Sequence, residues 1–308
     1  MVSTDKTVLF LMGPTASGKT DFAIELAQHF SARLISVDSA LIYKDMDIGT
    51  AKPDANTLKK YPHHLINICK PEQSYSAHDF VLDAKAQIET AFDHHQLPIL
   101  VGGTSFYFNA LEHGLSNLPE STSASRQKFN QLLQDKGSAK LHQDLAKIDE
   151  KAALRIHPND SQRVTRALEV FDLSGKTLSE LQGNKKPSIN YPIKKIILIP
   201  ERSELHQRIE ARFLSMMDNG FLDEVKHLKQ NPNLNEDLPS IRCVGYRQAW
   251  QYLNGEMDKP SMIERAIIAT RQLCKHQSTW LNAEKDALIM TKPDVKKAVE
   301  FIQDNSKT

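Results

Sequence analysis

A glycine-rich motif at residues 13–20 limits what this chain can fold into more than any other feature of its sequence. It follows an apolar run, Val8–Met12, of the kind that forms a strand buried on both faces, and a helical pattern begins at Thr20. The motif fits G-x-x-x-x-G-K-[ST] and consists of Gly13, Pro14, Thr15, Ala16, Ser17, Gly18, Lys19 and Thr20. Strand, loop and helix in this order predict a phosphate-binding loop (P-loop) in an α/β sheet protein.

Each part of the motif has a chemical role in binding phosphate. The glycines let the backbone curl so that its N–H groups face inward, and the N terminus of the helix adds a partial positive charge. Lys19 contributes a full positive charge, and the hydroxyl of Thr20 is suited to Mg²⁺. The motif therefore predicts a polyphosphate ligand with magnesium as cofactor, but it identifies neither ATP nor hydrolysis.

Further short apolar runs lie at residues 34–37, 99–101 and 196–199, with helical patterns between them. One helix is predicted from Phe80 to Phe92, where apolar residues recur at every fourth position. Strands that alternate with helices predict an α/β fold, a P-loop NTPase-like parallel sheet flanked by helices.

The chain also contains a segment of different character. Residues 113–192 lack any apolar run of the β type and show helical patterns instead, which predicts an all-helical insertion domain. We expect residues 1–112 to form the first part of the core, and residues 193–308 to complete it and add C-terminal helices, including one from Arg265 to Trp280. The final stretch of the chain is expected to be peripheral.

Two predicted strands end near the expected phosphate site. The run at 34–37 leads into Asp38, and ligands of open parallel sheets bind at the carboxyl ends of strands. Asp38 could hold Mg²⁺ through water or act as a base, although an Asp after a strand is also a common helix cap or turn residue. The run at 99–101 leads to Gly102, Gly103 and Thr104 and carries no acid, which weakens an ordinary ATPase interpretation.

The net charge hides a contrast between segments. The chain has 39 Lys and Arg against 38 Asp and Glu, a formal net charge of +1, which gives no indication of a nucleic-acid partner. Residues 1–112 are acidic, with nine basic against 13 acidic residues, whereas residues 155–195 have eight against four and residues 240–280 six against three. Such blocks are usually solvated faces, but two of them could form one RNA-facing surface.

Composition excludes several classes of protein. Hydrophobic residues make up 40% of the chain and charged residues 25%, which argues against a disordered protein. No apolar run approaches the ~20 residues that span a bilayer, and no secretory signal is recognisable, so no membrane partner is expected. Cys69, Cys243 and Cys274 are widely spaced, which predicts reduced thiols in a cytoplasmic protein. We expect a monomer, because no coiled-coil pattern or obligate protein partner is evident.

Several segments together resemble the bacterial tRNA dimethylallyltransferases, also called tRNA isopentenyltransferases. The resemblance covers roughly residues 7–282 and is specific because the segments occur in order. They are GPTASGKT at 13–20, VDSALIYKDMDIGTAKP at 37–53, YSAHDF at 75–80, ILVGGT at 99–104, IHPNDSQRVTRALEV at 156–170, SGKTLSEL at 174–181, LPSIRCVGYRQ at 238–248 and TRQLCKHQSTWL at 270–281.

The resemblance implies transfer of a dimethylallyl group from dimethylallyl diphosphate to N6 of adenosine 37 in the anticodon stem-loop of certain tRNAs. In such enzymes the P-loop binds the diphosphate of the prenyl donor rather than ATP. The resemblance also implies that Lys19, Thr20 and Mg²⁺ hold the leaving group, together with Arg212. Asp38 would be the base for the adenine amino group, and Thr104 would touch the target nucleotide and the reaction channel.

The resemblance further implies which residues contact tRNA, and the helical insertion is expected to bind the anticodon loop. The implied tRNA-binding residues are Asp38, Ser39, Ala40, Leu41, Thr104, Arg126, Gln162, Arg163, Val164, Thr165, Arg166, Arg242, Cys243, Val244, Gly245, Tyr246, Arg247, Lys275, His276, Gln277, Ser278, Thr279, Trp280, Leu281 and Asn282. The chain departs from the family at His276, where Arg is common, at Phe106, where Leu is usual, and at Leu41, often Gln. His276 carries less charge at neutral pH, which weakens one expected phosphate contact.

Three other functions remain open at this point. A P-loop kinase of a small metabolite would use the same loop, but it leaves the basic helical blocks unexplained. A related enzyme could prenylate free AMP, ADP or ATP. A non-enzymatic alternative is an RNA-binding switch controlled by a nucleotide.

Overall fold

The sheet at the centre of the protein is parallel throughout. A computed structural model describes residues 6–183 and 185–304. In this part of the chain six strands are hydrogen-bonded in the order β3-β2-β4-β1-β5-β6. They are β1 (Val8–Met12), β2 (Ala32–Val37), β3 (His63–His64), β4 (Leu97–Gly102), β5 (Ile193–Leu198) and β6 (Ala287–Met290). This architecture confirms the predicted α/β fold.

Helices connect the strands and extend the chain beyond them. They are α1 (Lys19–His29), α2 (Ala55–Lys60), α3 (Ala77–Asp93), α4 (Ser105–His113), α5 (Ser123–Ile148), α6 (Glu150–Arg155), α7 (Ser161–Ser174), α8 (Leu178–Leu181), α9 (Arg202–Asp218), α10 (Phe221–Lys229), α11 (Tyr246–Leu253), α12 (Lys259–Leu281) and α13 (Val295–Gln303). In the described part of the chain, none of the helices combines the length and the apolar character that crossing a membrane requires.

The sequence of β1 is apolar throughout because this strand is enclosed on all sides. It pairs with β4 on one edge and with β5 on the other, and its five side chains are at most 1% exposed. The register brings three strand ends together, since Met12 is paired with Gly102 and Gly102 with Val37. The segments that follow β1, β2 and β4 therefore leave the sheet side by side, as the rule for parallel sheets predicts.

Two apolar clusters contribute to the core of the sheet unit. One face of the sheet packs Leu11 and Val101 against Leu26 of α1 and Ala298 of α13. The other cluster joins α9 to α12, with Phe213, Phe221 and Tyr246 stacked edge to face in sequence. Helices α9 to α12 thus pack into one layer. This packing positions the side chains of α9 and α12 that are described below.

Sequence patterns missed two strands and misjudged the C-terminal region. Strand β3 is two histidines, too short and too polar to give an apolar run. Strand β6 pairs with β5, and α13 packs on α1, so the final stretch completes the sheet instead of being peripheral. All four residues of β6 are apolar, but the strand is short and lies at the edge of the sheet, so three of its four positions are partly or fully exposed.

His113–Ser188 form a compact unit of their own, and the described residues on either side of it form the other unit. The helical unit has its own core, which includes Leu145, Ala152, Val164 and Val170. It ends at Ser188 rather than at the expected residue 192, because Tyr191 already belongs to the sheet unit. There Tyr191 donates hydrogen bonds to the carboxylate of Glu89.

Candidate active site

The P-loop forms a tight turn between the end of β1 and the start of α1. Gly18 has φ of +87°, in the left-handed region that glycine reaches without steric cost, and α1 begins at the next residue. Lys19 folds back over the loop and donates from Nζ to the carbonyl oxygen of Pro14 at 3.1 Å. Because Lys19 is the first residue of α1, its ammonium group and the helix N terminus face the same ligand position.

A second cation reaches the same loop from helix α9. The guanidinium of Arg212 donates from Nη2 to Thr15 Oγ1. Burial lowers the pKa of Arg212, and burial also lowers the pKa of Lys19 to about 8, opposed by the charge of Asp38 and reinforced by Arg212. Two cations held together away from water favour the arrival of an anion, which would raise both pKa values again.

Arg208 is a P-loop contact that sequence reasoning missed. It lies one helical turn before Arg212 on α9, and its Nη1 donates to the carbonyl oxygens of Ala16 and Ser17 at 3.4 and 3.3 Å. Its Nη2 is paired with Glu204 at 2.6 Å. The i, i+4 spacing of the two arginines was the available signal, because it places both on one helix face.

Asp38 and Thr104 form the next part of the site, at the ends of β2 and β4. One carboxylate oxygen of Asp38 accepts the backbone N–H groups of Ala40 and Leu41, at 2.8 and 3.3 Å. The hydroxyl oxygen of Thr104 accepts the backbone N–H of Ser39 at 3.1 Å. Asp38 Oδ1 is therefore occupied by the turn, and these bonds orient the carboxylate. The predicted role as a turn residue and a role in chemistry are compatible.

One cavity of about 460 Å³ joins these groups. Its wall includes Thr15, Lys19, Thr20, Asp38, Thr104 and Arg212 among the predicted catalytic and phosphate-binding residues. An apolar part of the same wall is formed by Val101, Phe106, Ile209, Phe213, Met216 and Leu273. Sequence reasoning missed most of this apolar lining, because α9 and α12 lie far from the P-loop along the chain. The cavity has a cationic end, an apolar wall and a carboxylate.

Two polar side chains deep in this cavity have no hydrogen-bond partner within the described part of the protein. These are the hydroxyl of Ser36 and Nε2 of His63, both buried. Burial also lowers the pKa of His63, and its other ring nitrogen lies 2.8 Å from the carbonyl oxygen of Tyr61, so Nε2 is the acceptor. The sequence offered no motif for either residue.

The donor set of the cavity fits Mg²⁺ in its usual hydrated form. No group of three or more His, Cys, Asp or Glu that could hold a metal occurs among the described residues. Mg²⁺ needs no such group, since it keeps several waters and takes the rest of its ligands from phosphates and from one or two side chains. Thr20 and Asp38 offer such ligands, and the unpartnered atoms of Ser36 and His63 could accept or donate to the waters.

The predicted tRNA-contact residues of the sheet unit fall into groups. Those that line the cavity are Asp38, Ser39, Ala40, Leu41, Thr104, Cys243, Val244, Tyr246, His276 and Gln277. A second group neighbours these residues in the sequence but has exposed side chains: Arg242, Arg247, Lys275, Thr279 and Asn282. Ser278 and Trp280 are half-buried. The thiol of Cys243 has a pKa raised to about 12 by burial and by Asp38. It stays protonated and is not a nucleophile at neutral pH.

Three of these predicted tRNA contacts are buried residues that pack within the protein. Leu281 is 2% exposed and Gly245 is buried. The ring of Tyr246 is buried and packs edge to face on Phe221, and its hydroxyl donates to Glu224. Glu224 also accepts three backbone N–H groups, those of residues 47 to 49, so Tyr246 helps to fix one wall of the cavity.

The predicted contacts of the helical unit divide in the same way. Arg126, Gln162 and Arg163 are exposed, whereas Val164 is fully buried in the core of that unit. Thr165 donates its hydroxyl to the Ser161 carbonyl within the helix. 

Arg166 is committed to the fold of the helical unit. Its guanidinium donates to Glu169 at 2.6 Å, to Ser121 at 2.9 Å and to the carbonyl oxygen of Pro119 at 2.7 Å. The exposed positions can meet a ligand, but Val164 and Arg166 stabilise the helix that presents them.

Comparison with known proteins identifies the family of the chain. The family model described as IPP transferase matches residues 41–284. A protein of Ruthia magnifica subsp. Calyptogena magnifica named tRNA dimethylallyltransferase is 74% identical over 301 residues, which cover 98% of this chain and 99% of that protein.

Solved structures give the same result for the fold. The full-length tRNA isopentenylpyrophosphate transferase of Bacillus halodurans superposes with a TM-score of 0.70 at 34% identity, over 97% of this chain and 95% of that one. A eukaryotic dimethylallyltransferase acting on tRNA has a TM-score of 0.79 at 27% identity, over 97% and 80% of the two chains. The chain described here therefore belongs to the IPP transferase family.

Proposed function

We propose that this protein transfers the dimethylallyl group of dimethylallyl diphosphate to N6 of adenosine 37 in tRNA and releases diphosphate. The observation that carries the proposal is the single cavity in which the P-loop cations, an apolar wall and the Asp38 carboxylate meet. A kinase would use the cations and a carboxylate, but it has no need of the apolar wall. A prenyl diphosphate and an amine need all three.

The donor binds with its diphosphate on the P-loop and its hydrocarbon along the apolar wall. Backbone N–H groups, Lys19 and Arg212 face the diphosphate, where charge builds as the donor's C–O bond breaks. Such fixed charges lower the barrier because they are already oriented before the reaction. Phe213 and Met216 contact the five-carbon group and keep water away from the allylic carbon, which limits hydrolysis of the donor.

The acceptor is the exocyclic amine of an adenine, a weak nucleophile because its lone pair is delocalised into the ring. A bond forms between N6 and C1 of the dimethylallyl group while the bond from C1 to the diphosphate oxygen breaks and leaves its electron pair on diphosphate. N6 becomes positive in this step and gives one proton to Asp38. The products are diphosphate and an adenosine that carries one five-carbon group in place of one hydrogen.

Mg²⁺, when bound, supplies positive charge to the departing diphosphate. Thr20 would hold it directly and Asp38 through water. Ser36 and His63 lie in the same cavity with unpartnered polar atoms that suit its water shell.

The tRNA binds through its anticodon stem-loop. The target adenine must leave its stack to reach Asp38, and a single-stranded loop makes this extrusion less costly. The arginines at 242 and 247, with Lys275, are exposed and suit the phosphates of the stem-loop, and the helical unit adds Arg126 and Arg163. Because its substrate is a tRNA, we place the enzyme in the cytoplasm. We expect it to act as a monomer.

An acceptor competition tests the proposal. The protein is incubated with dimethylallyl diphosphate, Mg²⁺ and an unmodified anticodon stem-loop with adenosine at position 37, and free ATP and AMP are added as competing acceptors. We expect prenylation of the stem-loop alone, and none when guanosine replaces that adenosine. Prenylated AMP or ATP as main product would instead support the free-nucleotide enzyme, and phosphate transfer from ATP would support a kinase.

A further inference from the structure

The side chain of Gln277, on helix α12, joins the two halves of the cavity. Its Oε1 accepts the backbone N–H of Thr15 in the P-loop at 2.9 Å. Its Nε2 donates to the backbone carbonyl of Gly103, at the end of β4, at 2.9 Å. Only one orientation of the amide satisfies both partners, because Thr15 offers only a donor and Gly103 only an acceptor. Both ends of the amide are therefore in use.

The space around this amide is specific as well. A Cβ atom on residue 103 would lie 2.6 Å from Nε2 of Gln277 and 3.0 Å from the carbonyl oxygen of Gly13. No residue larger than glycine fits at 103 unless Gln277 moves away. The chain thus brings an amide from α12 and a bare backbone from β4 into direct contact beside the P-loop.

The partners of Gln277 lead to both substrates. Thr15 accepts a hydrogen bond from Arg212, so the Thr15 backbone and the Arg212 side chain are positioned as one group. On the other side, Gly103 precedes Thr104, whose hydroxyl holds the turn after Asp38. Gln277 therefore spans the loop that faces the diphosphate and the strand end that faces the base.

We propose that Gln277 is a positioning residue that sets the distance between the diphosphate loop and the Asp38 side of the cavity, and that it does not bind tRNA. This inference rests on the proposed function. Transfer of the prenyl group needs the leaving oxygen, C1 and N6 close to one line, and small errors in such geometry reduce rates steeply. The Thr15 N–H is directed at Gln277, so the diphosphate is held by the other N–H groups of the loop, Lys19 and Arg212.

The test compares Gln277→Met, which keeps the size and removes both hydrogen bonds, with Lys275→Ala, an exposed change two residues earlier on the same helix. Binding of inorganic pyrophosphate with Mg²⁺ is measured by calorimetry, tRNA binding by filter retention, and donor KM and kcat by product formation. We expect Gln277→Met to bind pyrophosphate roughly tenfold more weakly and to lose about 10- to 100-fold in kcat, with tRNA affinity within about twofold. Lys275→Ala should show the reverse, a weaker tRNA complex with unchanged pyrophosphate binding.

A second variant keeps the test valid if Gln277→Met folds poorly. Gln277→Glu has the same shape and retains the acceptor for Thr15, but it loses the donor to Gly103 and adds negative charge beside the diphosphate. It should bind pyrophosphate more weakly than the unchanged protein. The inference is overturned if either folded variant binds pyrophosphate normally, or if its main defect is in tRNA affinity. Pyrophosphate binding is read without catalysis, and prenylation by the unchanged protein in the same assay tests the proposed function separately.

Discussion

At the scale of single residues, three charged groups share one cavity. Asp38 is the only carboxylate that lines the cavity among the described residues, and backbone N–H groups of the following turn orient it. Lys19 and Arg212 meet at the P-loop, one from α1 and one from α9. The chemistry is divided accordingly, with a base on one side and a binding site for the leaving group on the other.

Asp38→Asn should slow the chemical step while the turn stays in place, because the amide oxygen can still accept the N–H groups of Ala40 and Leu41. We expect kcat to fall by about 10²- to 10⁴-fold, the usual contribution of general base catalysis. Binding of tRNA should change by less than about threefold. Single-turnover product formation gives the rate and filter binding gives the affinity. A large loss of tRNA affinity at normal kcat would contradict the role of Asp38 as a base.

The lowered pKa of Lys19 predicts a pH dependence. Below its value of about 8 the ammonium group is charged in the free enzyme, and above it the charge is lost, so affinity for the diphosphate should fall as the pH rises. We expect kcat/KM for the prenyl donor to decline by up to tenfold per pH unit above about 8, since one proton is lost. Lys19→Arg should lose this decline whatever its activity, because guanidinium stays charged. A flat profile for the unchanged protein would contradict it.

At the scale of elements, the sequence predicted what depends on local pattern. The run before the P-loop identified β1 because a strand enclosed on both faces must be apolar, and the predicted helix at 80–92 lies within α3. The helix predicted from Arg265 to Trp280 lies within α12, and Lys19, Asp38, Thr104 and Arg212 all line one cavity. The family resemblance implied Arg212 of α9 at the phosphate site, but the contact of α12 with the P-loop could not be predicted, since Gln277 is 262 residues from Thr15 and no local pattern records such a distance.

Strand β3 shows a second limit of local pattern. It joins the sheet through His63 and His64, which carry no β signal, because pairing with β2 rather than their own preference makes them a strand. The same pairing places His63 in the cavity.

Residues such as Val164 and Arg166 show a third limit of local pattern. A motif that resembles a tRNA contact also contains the residues that stabilise its own helix.

The buried carboxylate of Glu169 tests whether residues of this motif stabilise the helical unit. Burial raises its pKa, but hydrogen bonds from Ser121, Ser125 and Arg166 outweigh burial and bring the pKa below its ordinary value. Glu169→Ala should destabilise the protein by about 1–3 kcal/mol, because Arg166 and the two hydroxyls lose their acceptor. Urea unfolding measures the change.

The matched control is Asp172→Ala, which breaks an exposed ion pair with Lys128 between the same two helices. Such pairs contribute about 0–1 kcal/mol. The stabilising effect of Glu169 is present above the carboxyl pKa of the unfolded chain and is lost as the pH falls through the lower pKa of the folded state, so the difference between the unchanged protein and Glu169→Ala should shrink in acid. Equal effects of the two variants near pH 7 would contradict the account.

At the scale of the whole molecule, a net charge of +1 conceals segments of opposite charge. The acidic N-terminal segment carries the P-loop and Asp38, and the two basic segments carry Arg163, Arg242 and Arg247, which are proposed to contact tRNA. If those arginines bind phosphates, tRNA binding must release counterions and depend on salt.

Arg242→Ala and Arg247→Ala should each weaken tRNA binding and reduce the slope of log affinity against log salt by about one. Pyrophosphate binding should stay unchanged, since both side chains are exposed and lie outside the lining of the cavity. Arg166→Ala is the comparison variant for the salt slope. Its guanidinium is already paired with Glu169, so it is not expected to contribute a phosphate contact. A salt slope unaffected by Arg242→Ala or Arg247→Ala would remove these residues from the tRNA surface.

The mass of the tRNA itself shows whether one cavity unites a prenyl donor with a tRNA base. An unmodified tRNA with adenosine at position 37 is incubated with the protein, Mg²⁺ and dimethylallyl diphosphate, and its intact mass is measured before and after. We expect a gain of one dimethylallyl group in place of one hydrogen, on that adenosine, and no gain with Asp38→Asn in the same time. An unchanged tRNA mass with active, folded protein, or an equal gain with Asp38→Asn, would contradict it.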